Sequence, residues 1–244
     1  MRFVLGLALL PLSLVAPAAA EPSPRLTLRV AAEVAEGGTT RVVVALDRPA
    51  SRVVRVRLDT RSGEARGRRD YTPLHEVVVI PTGRTHAAVD VEALADGRDE
   101  AAEAFGVRLG DPEHAALVDG SDRATVTIAD GDPRPRVLVE DGTVTEPSFS
   151  NQLGFTYVRL SAPSGRRVVV GLASRPGTAT TADFVPLHPT AVFAPGETSQ
   201  LVSVEVLPDD LVEGPETVRL VVTSVGHARP PARAAVITID DADD

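Results

Sequence analysis

The chain has 244 residues, no cysteine and a formal net charge of −9. The negative charge argues against a nucleic-acid partner, and the lack of cysteine excludes disulfide-stabilised modules and thiolate metal sites. Packing, bound metal or both must therefore stabilise the folded chain.

The N-terminal segment has the pattern of a signal peptide. Arg2 precedes an apolar run over Phe3–Val15, and the small residues Ala18-Ala19-Ala20 follow. We expect residues 1–20 to be removed after Ala20, which predicts export to the periplasm or the extracellular space. The run is shorter than the roughly 20 residues that cross a bilayer, so an uncleaved anchor or a buried strand is the less favoured alternative. No other apolar segment is long enough for a membrane span.

Two similar copies make up the rest of the chain. The segment Asp70–His75 matches Asp183–His188. The same offset in residue number pairs two turn residues and three acidic residues: Gly83 with Gly196, Thr85 with Thr198, Asp96 with Asp209, Glu100 with Glu213, and Glu103 with Glu216. This agreement predicts one module over residues 21–132 and another over 136–244, joined by a stiff proline-containing linker at residues 133–135.

Within each copy, apolar residues alternate with polar ones. Basic residues separate Val54, Val56 and Leu58. Val168 and Val170 begin the same pattern in the second copy. Alternation indicates strands with one buried and one solvated face, and Gly, Pro and Asp separate the strands at short intervals. The sequence therefore predicts an all-β protein with two tandem immunoglobulin-like antiparallel β-sandwiches of about seven strands each.

The order of motifs in each copy resembles the Calx-beta domain family. An early Glu is followed by Asp-Tyr/Phe-x-Pro, by Pro-x-Gly-x-Thr, by Asp-x-x-x-Glu-x-x-Glu and by a strand with an Asp-rich tail. The second copy is close to this pattern at residues 194–198, 207–217 and 237–244. The family occurs in the regulatory loop of sodium–calcium exchangers and in many extracellular and adhesion proteins. The resemblance implies a sandwich that binds Ca²⁺ at one end.

The resemblance also implies a ligand set for calcium in each copy. In the second copy the implied ligands are Glu146, Asp183, Asp209, Asp210, Glu213, Glu216, Asp240, Asp241 and Asp243. In the first copy they are Glu36, Asp70, Asp96, Glu100, Glu103, Asp130 and Asp132. Ala129 and Gly131 replace two closing acids of the first copy, and Gly97 stands where the second copy has Asp210. Ala242 interrupts the closing acids of the second copy.

The chemistry of these residues agrees with a calcium site. Ca²⁺ takes about six to eight oxygen ligands, which several segments could supply together. A cluster of carboxylates without a cation would repel itself. The alternative is that acidic loops at the end of a sandwich are only solvated turns, since Asp often caps turns. Because the first copy has fewer acids and has Arg98 in its acidic loop, we expect the second copy to bind Ca²⁺ more tightly.

Catalysis is the other class of function that the sequence raises. His75 and His188 are repeated, but duplication reproduces any residue, and no nucleophile-elbow or zinc-protease motif is present. With no Trp and two Tyr, the chain also has few of the aromatic residues that stack on sugars. We therefore predict a non-enzymatic Ca²⁺-binding protein with a structural or adhesion role. A metal-independent extracellular spacer is the alternative, and exposed sheet edges could pair with a protein partner.

Overall fold

The computed structural model describes residues 22–241, and these residues form strands, turns and loops. The predicted signal peptide lies outside the described residues. The first module contains β1 (Arg25–Arg29), β2 (Glu33–Ala35), β3 (Thr39–Leu46), β4 (Val54–Ser62), β5 (His75–Ile80), β6 (His86–Glu92), β7 (Glu103–Glu113), β8 (Ala116–Leu117) and β9 (Arg123–Ala129). The second contains β10 (Val137–Val139), β11 (Gly142–Thr145), β12 (Gln152–Leu160), β13 (Val168–Pro176), β14 (Phe184–Val185), β15 (Thr190–Phe193), β16 (Ser199–Val206), β17 (Glu216–Gly226) and β18 (Ala235–Asp240).

Each module pairs a four-stranded sheet with a five-stranded one. The sheets run β6-β3-β1-β8 and β2-β9-β7-β4-β5 in the first module, and β10-β12-β16-β14 and β11-β18-β17-β13-β15 in the second. The first strand of each module is split between its two sheets, and β8 and β14 have two residues each. When the split strand is counted once and the two-residue strand is left aside, the prediction of about seven strands is confirmed.

Antiparallel pairing dominates, as predicted, and the exceptions lie at sheet edges. β2 pairs with β9 and β11 pairs with β18 in parallel, and the two-residue β8 lies parallel to β1. The split first strand explains the first two cases, because its second half crosses to the other sheet and runs alongside the last strand.

The alternating residues form the cores. Val54, Val56 and Leu58 are fully buried, and Val168 and Val170 are equally buried in the second module. Burial of such side chains contributes roughly 1.5–3 kcal/mol each. Each module also buries the aromatic residue of its Asp-Tyr/Phe-x-Pro motif. These are Tyr71, whose ring stacks on Phe105 at 4.2 Å between centroids, and Phe184.

The Pro-x-Gly-x-Thr motif at residues 81–85 and the similar segment at residues 194–198, which has Ala194 in place of Pro81, form the same turn. The amide of Arg84 donates to the carbonyl of Pro81, and the amide of Glu197 donates to that of Ala194. Gly83 and Gly196 lie at the third position of these turns with φ of 79° and 87°. A positive φ at this position is typical of a type II turn and favours glycine. The positive φ of the turn therefore explains the glycine of the motif.

Candidate metal centres

Strand register brings the acidic segments of each module to one end. In the first module, Ala35 pairs with Ala129 at the ends of two parallel strands, so Glu36 and Asp130 leave the sheet side by side. Glu103 begins β7 opposite Ile128. In the second module, β11 and β18 have the equivalent parallel pairing, and Glu146 follows β11. The pairing of the strands therefore positions the candidate ligands.

Three carboxylates converge in the second module. Asp183, Glu213 and Glu216 each offer an oxygen atom, and these atoms all lie within 4.8 Å of one another. Asp183 follows a tight turn in which the backbone amide of Thr180 donates to Asp183 Oδ2 at 2.6 Å, and the Thr180 hydroxyl donates to the same atom at 3.0 Å. The turn fixes the direction in which this carboxylate points.

Other predicted ligands of the second module surround this trio. Glu146 Oε1 accepts a hydrogen bond from the amide of Asp209 at 3.0 Å, and Asp241 Oδ2 accepts one from the amide of Glu213 at 2.7 Å. These bonds connect the end of β11, the acidic loop and the residue after β18. Asp240 takes part through its backbone, since its carbonyl accepts from the amide of Glu146.

Among the described residues, the predicted ligand Asp210 lies apart from this trio. Asp210 is exposed, and the trio of converging oxygens does not include it. Asp243 lies outside the described residues, so its prediction is untested.

The first module brings two trios together. Glu36, Asp96 and Asp132 form one, and Asp70, Glu100 and Glu103 form the other, again with oxygens within 4.8 Å. These six, together with Asp130, are the predicted ligands of this module. A pocket lies among these acids, and Asp130 is on its wall. Asp130 Oδ1 accepts a hydrogen bond from the amide of Asp132 at 3.1 Å.

The trios fit a calcium ion by their spacing and their donor atoms. Oxygens that bind one Ca²⁺ at about 2.3–2.6 Å are at most about 5 Å apart, and the oxygens of each trio all lie within 4.8 Å of one another. All donors are carboxylate oxygens, which suit a hard cation better than a transition metal. Each trio supplies three of the roughly six to eight ligands needed, so carbonyls, neighbouring carboxylates or water would complete the shell.

The carboxylates of the second module are electrostatically crowded. Burial, together with a hydrogen bond to Asp183 and repulsion from it, raises the pKa of Glu216 to about 7. Burial also raises the pKa of Glu146 and of Glu213, with Asp209 and Asp241 contributing repulsion to both. A divalent cation would relieve this repulsion, because it favours the ionised form of every carboxylate around it.

In the first module, an arginine reduces the repulsion among the carboxylates. Burial and repulsion from Asp70 and Glu100 raise the pKa of Glu103, while the Arg69 guanidinium opposes the rise. Arg69 Nη2 donates to Glu100 Oε1 at 3.1 Å, and its Nε lies 3.5 Å from Asp70 Oδ1. Arg69 was not among the site residues predicted from the sequence. The signal was the difference between the copies at the residue before the motif aspartate, where the second copy has Ala182.

The acidic loop of the first module, at residues 96–103, also contacts the second module. Ser164, between β12 and β13, donates its hydroxyl to Asp99 Oδ2 at 3.2 Å, and the amide of Gly165 donates to the Asp99 carbonyl at 3.0 Å. Arg166 Nη2 donates to the Glu100 carbonyl at 2.6 Å. A side chain at Gly165 would collide with the Glu100 side chain, so glycine permits this close approach. The loop that carries Glu100 is therefore held from both modules.

Comparison with known proteins agrees with this arrangement of strands and acids. The Calx-beta domain family model matches residues 29–132 and 135–243. The chain belongs to the Calx-beta family. The predicted resemblance is thus confirmed, and Calx-beta domains are binding modules.

Relatives of these Calx-beta modules include much larger proteins. The chain is 29% identical over 174 residues to Adhesion G-protein coupled receptor V1 of Danio rerio; the match covers 69% of the chain and 3% of that receptor. Among solved structures, CBD12 from CALX1.2 is 18% identical with a TM-score of 0.42, covering 89% of this chain and 99% of that one. The calcium binding domain CBD12 of CALX1.1 is 17% identical with a TM-score of 0.42, covering 85% and 96%. Since both TM-scores are below 0.5, neither structure supports a residue-level comparison.

Within residues 22–241, no helix is long and apolar enough to span a membrane.

Proposed function

We propose that this tandem Calx-beta chain is an exported Ca²⁺-binding protein with a structural or adhesion role. The observation that carries the proposal is the convergence of Asp183, Glu213 and Glu216, whose carboxylate oxygens lie within 4.8 Å of one another. Among the ion pairs found in residues 22–241, none joins these three side chains to an arginine. Such a cluster requires either protons or a cation, and at neutral pH a calcium ion satisfies it best.

Export and adhesion are supported by two further observations. The N-terminal segment has the composition of a signal peptide, and the relative in Danio rerio is by name an adhesion receptor. A catalytic role is not part of the proposal, because Calx-beta domains are binding modules.

Calorimetric titration of the mature chain with CaCl₂, after treatment with a chelator, tests the proposal. We expect saturable binding at the second module and its loss in the double variant Asp183→Asn/Glu216→Gln. MgCl₂ serves as a control, since Mg²⁺ is smaller and dehydrates reluctantly. Asp210→Asn is the matched protein control, because Asp210 is exposed and lies outside the trio. Absence of any calcium binding by the unaltered chain would contradict the proposal.

A metal-independent spacer is the second candidate, and the contact between the modules favours it. Asp99 and Ser164 are buried against each other, and their hydrogen bonds need no metal. The two functions differ in one measurement. A spacer keeps the same melting temperature in EDTA and in millimolar Ca²⁺, whereas a calcium-binding protein melts higher in Ca²⁺.

Pairing of a protein partner with a sheet edge stays a prediction. β5 is an edge strand, and its Val77 and Val79 are 56% and 41% exposed.

A further inference from the structure

The residue before the motif aspartate differs between the modules. It is Arg69 in the first module and Ala182 in the second. In both turns an earlier backbone amide donates to the aspartate. The donor is Arg66, four residues before Asp70, in the first module and Thr180, three residues before Asp183, in the second. An arginine or an alanine therefore occupies equivalent places beside equivalent carboxylates.

Arg69 reaches the carboxylates of the first module from this turn. Its Nη2 lies 3.1 Å from Glu100 Oε1, and its Nε lies 3.5 Å from Asp70 Oδ1. Both of these acids belong to the same trio, with Glu103 as the third member. Arg69 also lies on the wall of the pocket that these acids surround. The guanidinium is thus a cation already present among the candidate ligands.

A calcium ion would compete with this guanidinium. Both cations use oxygens of Glu100 and Asp70, and a guanidinium at hydrogen-bonding distance from an oxygen repels a divalent ion bound to the same atom. The Arg69 side chain is 57% exposed, so it can swing into solvent when a metal enters. Competition of this kind weakens metal binding without abolishing it.

We propose that Arg69 is a built-in counter-cation that sets the calcium affinity of the first module, and that Ala182 leaves the second module without one. The inference rests on the proposed function, because it concerns the same sites. In the absence of metal, the Arg69 guanidinium balances part of the charge of Asp70, Glu100 and Glu103, so the first module depends less on Ca²⁺ for its stability than the second.

The test is a calorimetric Ca²⁺ titration of the mature chain with one module silenced at a time. Asp183→Asn/Glu216→Gln silences the second module, and Arg69→Ala, Arg69→Lys and Arg69→Gln are compared in that background. We expect Arg69→Ala and Arg69→Gln to raise the affinity of the first module at least about tenfold, since calcium affinity follows the charge of the site. Arg69→Lys keeps the positive charge and should stay near the unaltered chain. With Glu100→Gln/Glu103→Gln silencing the first module, Ala182→Arg should lower the affinity of the second.

A measurement without metal accompanies the titration. In EDTA, Arg69→Ala should melt at a lower temperature than Arg69→Lys, because three carboxylates have lost their counter-charge. If Arg69→Ala binds Ca²⁺ no more tightly than the unaltered first module while the second module binds, the inference is overturned and the proposed function stands. If neither module of the unaltered chain nor any variant binds Ca²⁺, the proposed function fails and the inference fails with it.

Discussion

The Ser164 hydroxyl of the second module donates to a carboxylate oxygen of Asp99 in the first at 3.2 Å, and both residues are buried. Removal of the hydroxyl by Ser164→Ala would leave part of a buried charge without its partner. We expect the mature chain to lose about 1–3 kcal/mol of stability, measured by urea denaturation. Ser51→Ala is the control, because Ser51 is exposed. Equal midpoints for the two variants would show that the contact between the modules does not form in solution.

Calcium should stabilise the chain against heat. A ligand that binds only the folded state at 100 times its Kd contributes about 2.7 kcal/mol, which corresponds to a rise of several degrees in Tm. We expect this rise between EDTA and millimolar Ca²⁺, and we expect Glu216→Gln to reduce it, because Glu216 belongs to the converging trio of the second module. Asp210→Asn should leave the rise unchanged. If Asp210→Asn reduced the Ca²⁺-induced rise in Tm more than Glu216→Gln did, the assignment of the site to the converging trio would be wrong.

The metal-free chain should become less stable as the pH rises from about 4.5 to about 7. Burial and the proximity of Asp183 raise the pKa of Glu216 from 4.5 to about 7, so the folded state keeps a proton that the unfolded state releases. Stability falls with pH wherever the folded state binds more protons. Urea midpoints in EDTA across this range measure the effect, and Glu216→Gln should flatten the slope. An equal slope in the variant would show that Glu216 does not titrate in this window.

Terbium luminescence should report the first module separately. Tb³⁺ is a hard cation that prefers oxygen ligands as Ca²⁺ does, and a nearby tyrosine can sensitise its emission. Tyr71 directly follows the candidate ligand Asp70, whereas the second module has Phe184 at this position. We expect emission on tyrosine excitation to be lost in Tyr71→Phe, which keeps the ring that stacks on Phe105. Tyr157→Phe, on the exposed face of β12, is the control. If Tyr157→Phe abolished the emission and Tyr71→Phe did not, the ion would not bind at the candidate site of the first module.

The sequence predicted the sheet fold because its signals are local. Burial of Val54, Val56 and Leu58 follows from their alternation, since neighbouring side chains of a strand point to opposite faces. The turns at Gly83 and Gly196 follow from the short motif around each glycine. Repetition of these signals in both copies indicated two modules of one type.

The order of the acids in each copy also predicted the acids that converge, although it added Asp210, which lies outside the trio. Asp183, Glu213 and Glu216 could be paired with Asp70, Glu100 and Glu103 by offset alone, and the tertiary structure then brought each set within 4.8 Å. Only the tertiary structure could show the contacts made by Arg69 and by Ser164. The reach of Arg69 to Glu100 depends on side-chain direction at a turn, and the contact of Ser164 with Asp99 joins residues 65 positions apart across two modules. Neither contact leaves a periodic pattern in the sequence, because each depends on how separate loops pack together.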